Sequence, residues 1–187
     1  GLHPITKDGA CGCGNESCAA AGKHPVMPSW QSCPVWDDDQ WDTLISIGMF
    51  ETGYGVLLKN LLVIDVDARN GGVESYERLV EDIPEIIGAG LIVETGSGGG
   101  SKHLYFSISS NVPLRVKHPK YPGVDFKSGS SFVVGPGSFH KSGNPYRAVV
   151  GDPYSIGPAP DALIELLRRP DAHRTSLSGE QIDVTDG

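Results

Sequence analysis

The stretch Leu61-Leu62-Val63-Ile64-Asp65-Val66-Asp67 decides how this chain is read: an apolar run ending in an Asp-x-Asp pair. A short run this apolar predicts a buried strand over 61–67, and strand side chains alternate between faces. Asp65 and Asp67 therefore share a face at the strand's end, with Val66 turned the other way. Two like charges forced together at the edge of a core are costly unless something positive sits between them. A divalent metal ion is the natural candidate. The competing reading is that these acids only cap a turn, since Ala68-Arg69-Asn70-Gly71-Gly72 follows directly.

Outward from this strand, periodicity places the neighbours. A helix over 38–50 starts at Asp37-Asp38-Asp39 and carries Trp41, Leu44 and Ile45 on one face. A strand at 54–58 precedes the central one. A helix at roughly 73–87 follows it, with Val73, Tyr76, Leu79, Val80 and Ile83 at helical spacing. Strands are expected at 91–95 and 102–108, joined by Gly96-Ser97-Gly98-Gly99-Gly100, and again at 123–127, 131–135 and 145–150. A helix near 159–169 closes the domain. The order predicts a mixed α+β fold with a mostly antiparallel sheet, unlike the alternating pattern of a doubly wound nucleotide-binding fold. Residues 1–37 form a turn-rich N-terminal segment, 38–169 the core, and 170–187 a polar tail or linker.

Composition narrows the function classes. The chain has 39% hydrophobic residues and no apolar run of membrane-spanning length, which predicts a soluble globular protein with no membrane partner. A net charge of −8 argues against binding nucleic acid through an overall positive field, though not against holding it locally with metal ions and a few Lys or Arg. The chain begins with Gly rather than Met, which points to a trimmed or excised piece, and no secretory signal is visible.

Three of the four Cys crowd into Cys11-Gly12-Cys13-Gly14-Asn15-Glu16-Ser17-Cys18, with His24 close behind. Such clustering favours a metal site in a reducing cytosol over a disulfide framework. Three Cys and one His can close a tetrahedral, structural zinc site, although the gap between Cys11 and Cys13 is tighter than usual. His3 could replace one ligand, and Cys33 is not expected to be one. The alternative is free thiols in a loop.

Two further segments carry chemistry. Thr95-Gly96-Ser97-Gly98-Gly99-Gly100-Ser101-Lys102-His103 lacks a phosphate-loop signature and links two strands instead. Period two puts Ser101, His103 and Tyr105 on one face and Lys102 on the other. Ser101, His103 and the bare backbone around Gly100 could make a cradle for phosphate oxygens; the alternative is that the glycines only relax a hairpin and His103 is a structural histidine. In Gly123-Val124-Asp125-Phe126-Lys127, Asp125 and Lys127 share a face; alone they read as a surface ion pair. Beside the Asp65 strand, Asp125 becomes a third carboxylate. Three carboxylates can hold two Mg²⁺ or Mn²⁺ ions about 3.5–4 Å apart for in-line phosphoryl transfer.

Asp65-Val66-Asp67 after an apolar strand, Ser101-Lys102-His103 after glycines, and Val124-Asp125 match, in order, the three motifs of archaeo-eukaryotic-type primases. The chain resembles most closely the bifunctional DNA primase/polymerase domain of phage and plasmid replication proteins. Gly22-Lys23-His24-Pro25 and Val133-Val134-Gly135-Pro136-Gly137-Ser138-Phe139-His140, with Ser142-Gly143 and Tyr146, also look like that family, so the likeness spans residues 3–168.

The resemblance implies a primase-type catalytic core with an RRM-like sheet flanked by helices, plus a small N-terminal zinc element. It implies that Asp65, Asp67 and Asp125 are the Mg²⁺ or Mn²⁺ ligands. Ser101 and His103 would contact the nucleotide's phosphates, with Lys127 assisting, and His140 has no assigned role. The expected activity is template-directed nucleotidyl transfer, with single-stranded DNA template, primer and NTP or dNTP as partners. A helicase domain or protein is the expected companion and the cytoplasm the expected location, that of the host if phage-encoded. The alternative is a metal-dependent nuclease or replication initiator. Initiators that form a covalent intermediate need a Tyr near paired His, and no His-x-His pair is present.

Overall fold

The computed structural model describes residues 1–4, 10–32, 34, 36–109 and 112–169; Cys33 and the polar stretch 170–187 lie outside them. In chain order the elements are α1 (Asp38–Ser46), β1 (Gly55–Leu57), β2 (Leu61–Val66), α2 (Gly72–Asp82), β3 (Leu91–Glu94), β4 (Lys102–Ser107), β5 (Val124–Ser128), β6 (Phe132–Val134), β7 (Arg147–Val150) and α3 (Asp161–Leu167). This is the expected α+β arrangement. Five strands form one sheet in the order β5-β2-β4-β3-β7, and β1 pairs with β6 in a second, two-stranded sheet. Every pairing between named strands is antiparallel.

The apolar run of β2 is buried on both faces, as an inner strand covered on two sides must be. Leu62, Ile64 and Val66 are fully buried and pack with Leu104, Phe106, Val124 and Phe126 of the neighbouring strands. Leu79 of α2 and Leu163 and Leu167 of α3 close this core from the helical side. The opposite face carries Val63, Leu91, Val93 and Tyr105. Val133 and Val134 of β6, together with Leu2 from the N-terminus, cover that second face. The cover reaches Val63 but stops short of Asp65, which lies on the same face one pleat further along and is only partly buried.

Helix ends follow local chemistry. Asp37 caps α1: its side chain accepts from the Gln40 backbone, and Gln40 returns the bond to the Asp37 backbone. The helix stops at Ser46, short of the expected 50, because Gly48 adopts φ +72° just beyond it. Its apolar face does not enter the core. Trp41 instead packs on Trp36 and Phe50, with ring centroids 4.9 and 5.5 Å away, in an aromatic cluster at the surface. The helix expected over 73–87 divides at Ile83, whose position before Pro84 forces it out of the helical region, to φ −139° and ψ 78°. A 3₁₀ turn over Pro84–Gly88 continues the direction.

Gly72 opens α2 and lies against the end of β2. A Cβ there would stand 2.5 Å from the Gly123 carbonyl oxygen and 2.6 Å from that of Asp67, so only glycine allows this approach. Buried Ser75 donates to the Pro122 carbonyl at 2.6 Å, tying the helix to the lead-in of β5.

Phe126 contributes the largest side chain of β5 to the helical core. Phe126→Ala is expected to cost about 3–5 kcal/mol in urea unfolding. Val149→Ala, on the exposed strand β7, should stay within about 0.5 kcal/mol of wild type in the same assay.

Candidate active site

The three strands β4, β2 and β5 set the site through their register. Asp65 stands directly opposite Asp125 on one side and His103 on the other. Residues directly opposite share a face, with Cβ atoms about 4.5–5.5 Å apart. In the next row Val63 stands between Tyr105 and Lys127 on that same face. The strand neighbourhood on which a third carboxylate depended is thus present. Asp67 lies past the end of β2, its amide bonded to the Gly123 carbonyl at 2.8 Å.

Each carboxylate has its own cation. Lys127 Nζ is 2.6 Å from Asp65, Arg69 is 3.0 Å from Asp67, and Lys117 is 3.8 Å from Asp125. His103 Nε2 lies 3.4 Å from Asp65 Oδ1. Burial by itself would raise the Asp65 carboxyl, but the hydrogen bond and charge of His103, together with Lys127, hold it well below the usual carboxylate range. Asp67 is also lowered, first by its bond to the Arg69 side chain. It accepts from the Arg69 amide and from Asn70 Nδ2 as well, so the turn-capping alternative describes its present contacts correctly. These bonds leave Asp67 partly exposed, on the rim of the same cleft as Asp65 and Asp125.

The glycine segment is the β3–β4 hairpin. Gly98, Gly99 and Gly100 all have positive φ, which lets the chain reverse between Thr95 and Ser101. Ser101, almost fully buried, accepts from the Ala68 amide at 3.0 Å and so braces the turn that carries Asp67 and Arg69. Ser97 and Ser101 line the cleft, whereas Gly100 sits against Val73 and is not among its lining residues. Lys102 points to the opposite face, 4.1 Å over the Tyr76 ring, as alternation predicts.

A second loop straps this hairpin. Ser142 Oγ and Asn144 Nδ2 both donate to the Gly96 carbonyl, at 2.7 and 3.3 Å. His140 Nδ1 meets Ser142 Oγ at 3.0 Å. His140 is buried and pressed on Gly96, where a Cβ would stand 2.3 Å from its own. Its neighbourhood gives it a bracing role beneath the hairpin. Tyr146 of this loop reaches the cleft beside His103; burial, then the Asp65 charge, push its hydroxyl up to about 12.

The N-terminal element gathers its donors as the spacing suggested. One ligand atom each from Cys11, Cys13, Cys18 and His24 can be chosen so that all lie within 4.8 Å of one another. Cys11 Sγ is 3.0 Å and Cys18 Sγ 3.6 Å from His24 Nε2. Three thiols and an imidazole at this spacing fit a tetrahedral metal, and zinc is the ion such a set can hold. His3 is outside the set and stacks on His24 with ring centroids 4.5 Å apart. Burial opposes ionisation of Cys11, but the backbone of Cys13 and Gly22 and the His24 ring draw its thiol down to about 6.

The three Asp, with His103, Ser97, Ser101 and Tyr146, line a cleft of about 970 Å³. Four Lys or Arg (Lys23, Arg69, Lys117 and Lys127) face three Asp there, so the cleft is locally positive in a chain of net charge −8. Sequence reasoning did not single out Arg69, Lys117 or Lys23 as site residues. Arg69 sat in the turn after Asp67, and Lys117 and Lys23 come from irregular segments that no periodicity marks. The arrangement suits a polyanionic ligand accompanied by cations.

Comparison with known families agrees. The family described as bifunctional DNA primase/polymerase, N-terminal, matches residues 2–162, and the chain belongs to it. This supports a replication function of the DNA primase/polymerase type, with DNA and nucleotides as substrates. No curated protein matches the chain. Among the described residues no helix is long and apolar enough to cross a membrane.

Metal analysis of freshly purified protein is expected to find one zinc per chain, lost in Cys11→Ser and Cys18→Ser. A proton competes with metal for the Cys11 thiolate. Zinc uptake by stripped protein should therefore weaken as pH falls through about 6 and be unaffected by this group above it.

Proposed function

We propose that the cleft joins nucleotides on a DNA template, acting as primase and polymerase, and that residues 38–169 are its catalytic core with 1–37 as an appended element. The observation that carries the reading is the row His103–Asp65–Asp125 across three strands, at the floor of a locally positive cleft. The oxygen of a primer 3′-hydroxyl, or that of the first nucleotide, bonds to the α-phosphorus of the incoming nucleotide. The bond from that phosphorus to the α–β bridging oxygen breaks, pyrophosphate leaves, and the hydroxyl proton passes to solvent.

Asp65, Asp67 and Asp125 would hold Mg²⁺ or Mn²⁺, whose charge lowers the pKa of the attacking hydroxyl and neutralises the leaving pyrophosphate. Carboxylate oxygens suit such hard cations: Asp65 and Asp125 stand opposite each other on paired strands, and Asp67 lies on the rim of the same cleft. Asp65 stays ionised far into acid, so it offers its oxygens at any physiological pH. Lys127 and Arg69, now seated on the acids, are long enough to turn toward phosphate oxygens when those acids take up cations. His103, held between Asp65 and the Tyr146 ring, would contact the nucleotide's phosphates. Ser101 keeps the Asp67 turn in place through Ala68.

Primer-extension assays with single-stranded template, dNTPs or NTPs, and Mg²⁺ or Mn²⁺ test the reading. Asp65→Asn and Asp125→Asn should each lower incorporation on the order of a hundred- to a thousandfold. Circular dichroism and the unfolding midpoint should remain close to wild type. Retained extension in either variant refutes the assignment, and cleavage of labelled DNA without nucleotides would favour a nuclease.

A further inference from the structure

Lys23 is the residue before His24, and it is the only part of the Cys/His element among the residues that line the cleft. It comes from outside the catalytic sheet, in a segment of turns between Cys18 and Pro25 that has no helix and no strand. Its side chain is partly buried. The other Lys and Arg of the cleft each rest on a carboxylate: Arg69 on Asp67, Lys117 on Asp125, Lys127 on Asp65. Among the described residues Lys23 has no such ion pair. Burial first, and then Arg69 and Lys127, disfavour its ammonium while Asp65 and Asp67 offset part of that, so an added anion would be favourable there. A compact ammonium with three donors suits the oxygens of a phosphate chain.

The Cys/His cluster and the backbone of the first three residues together hold the Lys23 turn. The Lys23 amide donates to the Ala20 carbonyl at 2.8 Å, a bond within the same turn. On the other side His24 is gripped by Cys11 and Cys18, stacks on His3, and accepts from the His3 amide at 3.1 Å. The His3 segment is anchored in the core through buried Leu2, whose amide bonds to the Gly53 carbonyl at 3.0 Å. The position of Lys23 is thus set on one side by a ligand of the cluster and on the other by the turn leading back to Cys18.

We propose that the Cys/His element delivers Lys23 to the triphosphate of the incoming nucleotide, so that metal occupancy of Cys11, Cys13, Cys18 and His24 sets nucleotide affinity. The inference rests on the primase/polymerase reading of the cleft and adds a coupling between its two metal-binding regions. Loss of the structural metal frees the turn, withdraws the ammonium, and weakens nucleotide binding while the catalytic sheet stays folded.

The test measures the Kd of a non-hydrolysable α,β-imido dNTP in Mg²⁺ by calorimetry, for zinc-loaded and chelator-stripped protein returned to Mg²⁺ buffer. Lys23→Gln in zinc-loaded protein should weaken binding about ten- to a hundredfold, the loss of one charge-assisted contact, and Lys23→Arg should restore most of it. Stripping should weaken wild type by a similar factor and add little in Lys23→Gln, since both act through one contact. Wild-type affinity in Lys23→Gln overturns the proposal, as do equal losses on stripping in both proteins. Melting of the whole domain on stripping also overturns it, leaving an ordinary structural metal. Failure of zinc-loaded wild type to bind the analogue at all would instead remove the primase/polymerase reading beneath it.

Discussion

The pairing of β2 with β4 on one edge and β5 on the other is the constraint on which the rest depends. Because side chains alternate, a slip of one residue would turn Asp65 into the helical core and Ile64 into the cleft. Leu62, Ile64 and Val66 forbid that slip, since each is fully buried against α2 and α3. The hydrophobic effect on one face therefore aligns the chemistry on the other. Directly opposed Asp65 and Asp125 would repel in a bare sheet. Here Lys127 and Lys117 offset that cost.

Around this fixed row, the loops are held by close backbone contacts rather than by side-chain bulk. Gly72 brings α2 against Asp67 and Gly123, and Gly96 brings the strap of His140, Ser142 and Asn144 against the β3–β4 hairpin. In each case a Cβ would collide with groups that a site residue depends on. Ser101 joins the two regions by holding Ala68 from the hairpin side. The result is a cleft whose walls come from well-separated parts of the chain but whose floor is set by one sheet.

Charge is distributed to the same end. The protein as a whole is acidic, which disfavours loose attachment to nucleic acid. Its cleft gathers four cations around three acids, so positive charge is concentrated there. The Cys/His element contributes one of those cations, Lys23.

The amino-acid sequence by itself determined the α+β class, the buried central strand, the shared face of Asp65 with its neighbours and the Cys/His donor set. These depend on local quantities: side-chain alternation, apolar periodicity, and ligand types crowded into a short segment. Element ends were legible where a Pro or Gly acts locally, and missed where one was overlooked, as at Ile83 and Gly48. The exposed setting of α1 was not legible, because amphipathic spacing says which residues share a face but not whether the core has room for them. Only the tertiary structure decided that Asp125 stands opposite Asp65, that Asp67 also caps its turn, that Gly100 stays outside the cleft, and that Lys23, Arg69, Lys117 and Tyr146 enter it. Those facts are distances between segments as much as 123 residues apart, from Lys23 to Tyr146 (146 − 23). They are set by strand register and by close packing at glycines, which no single stretch of sequence encodes.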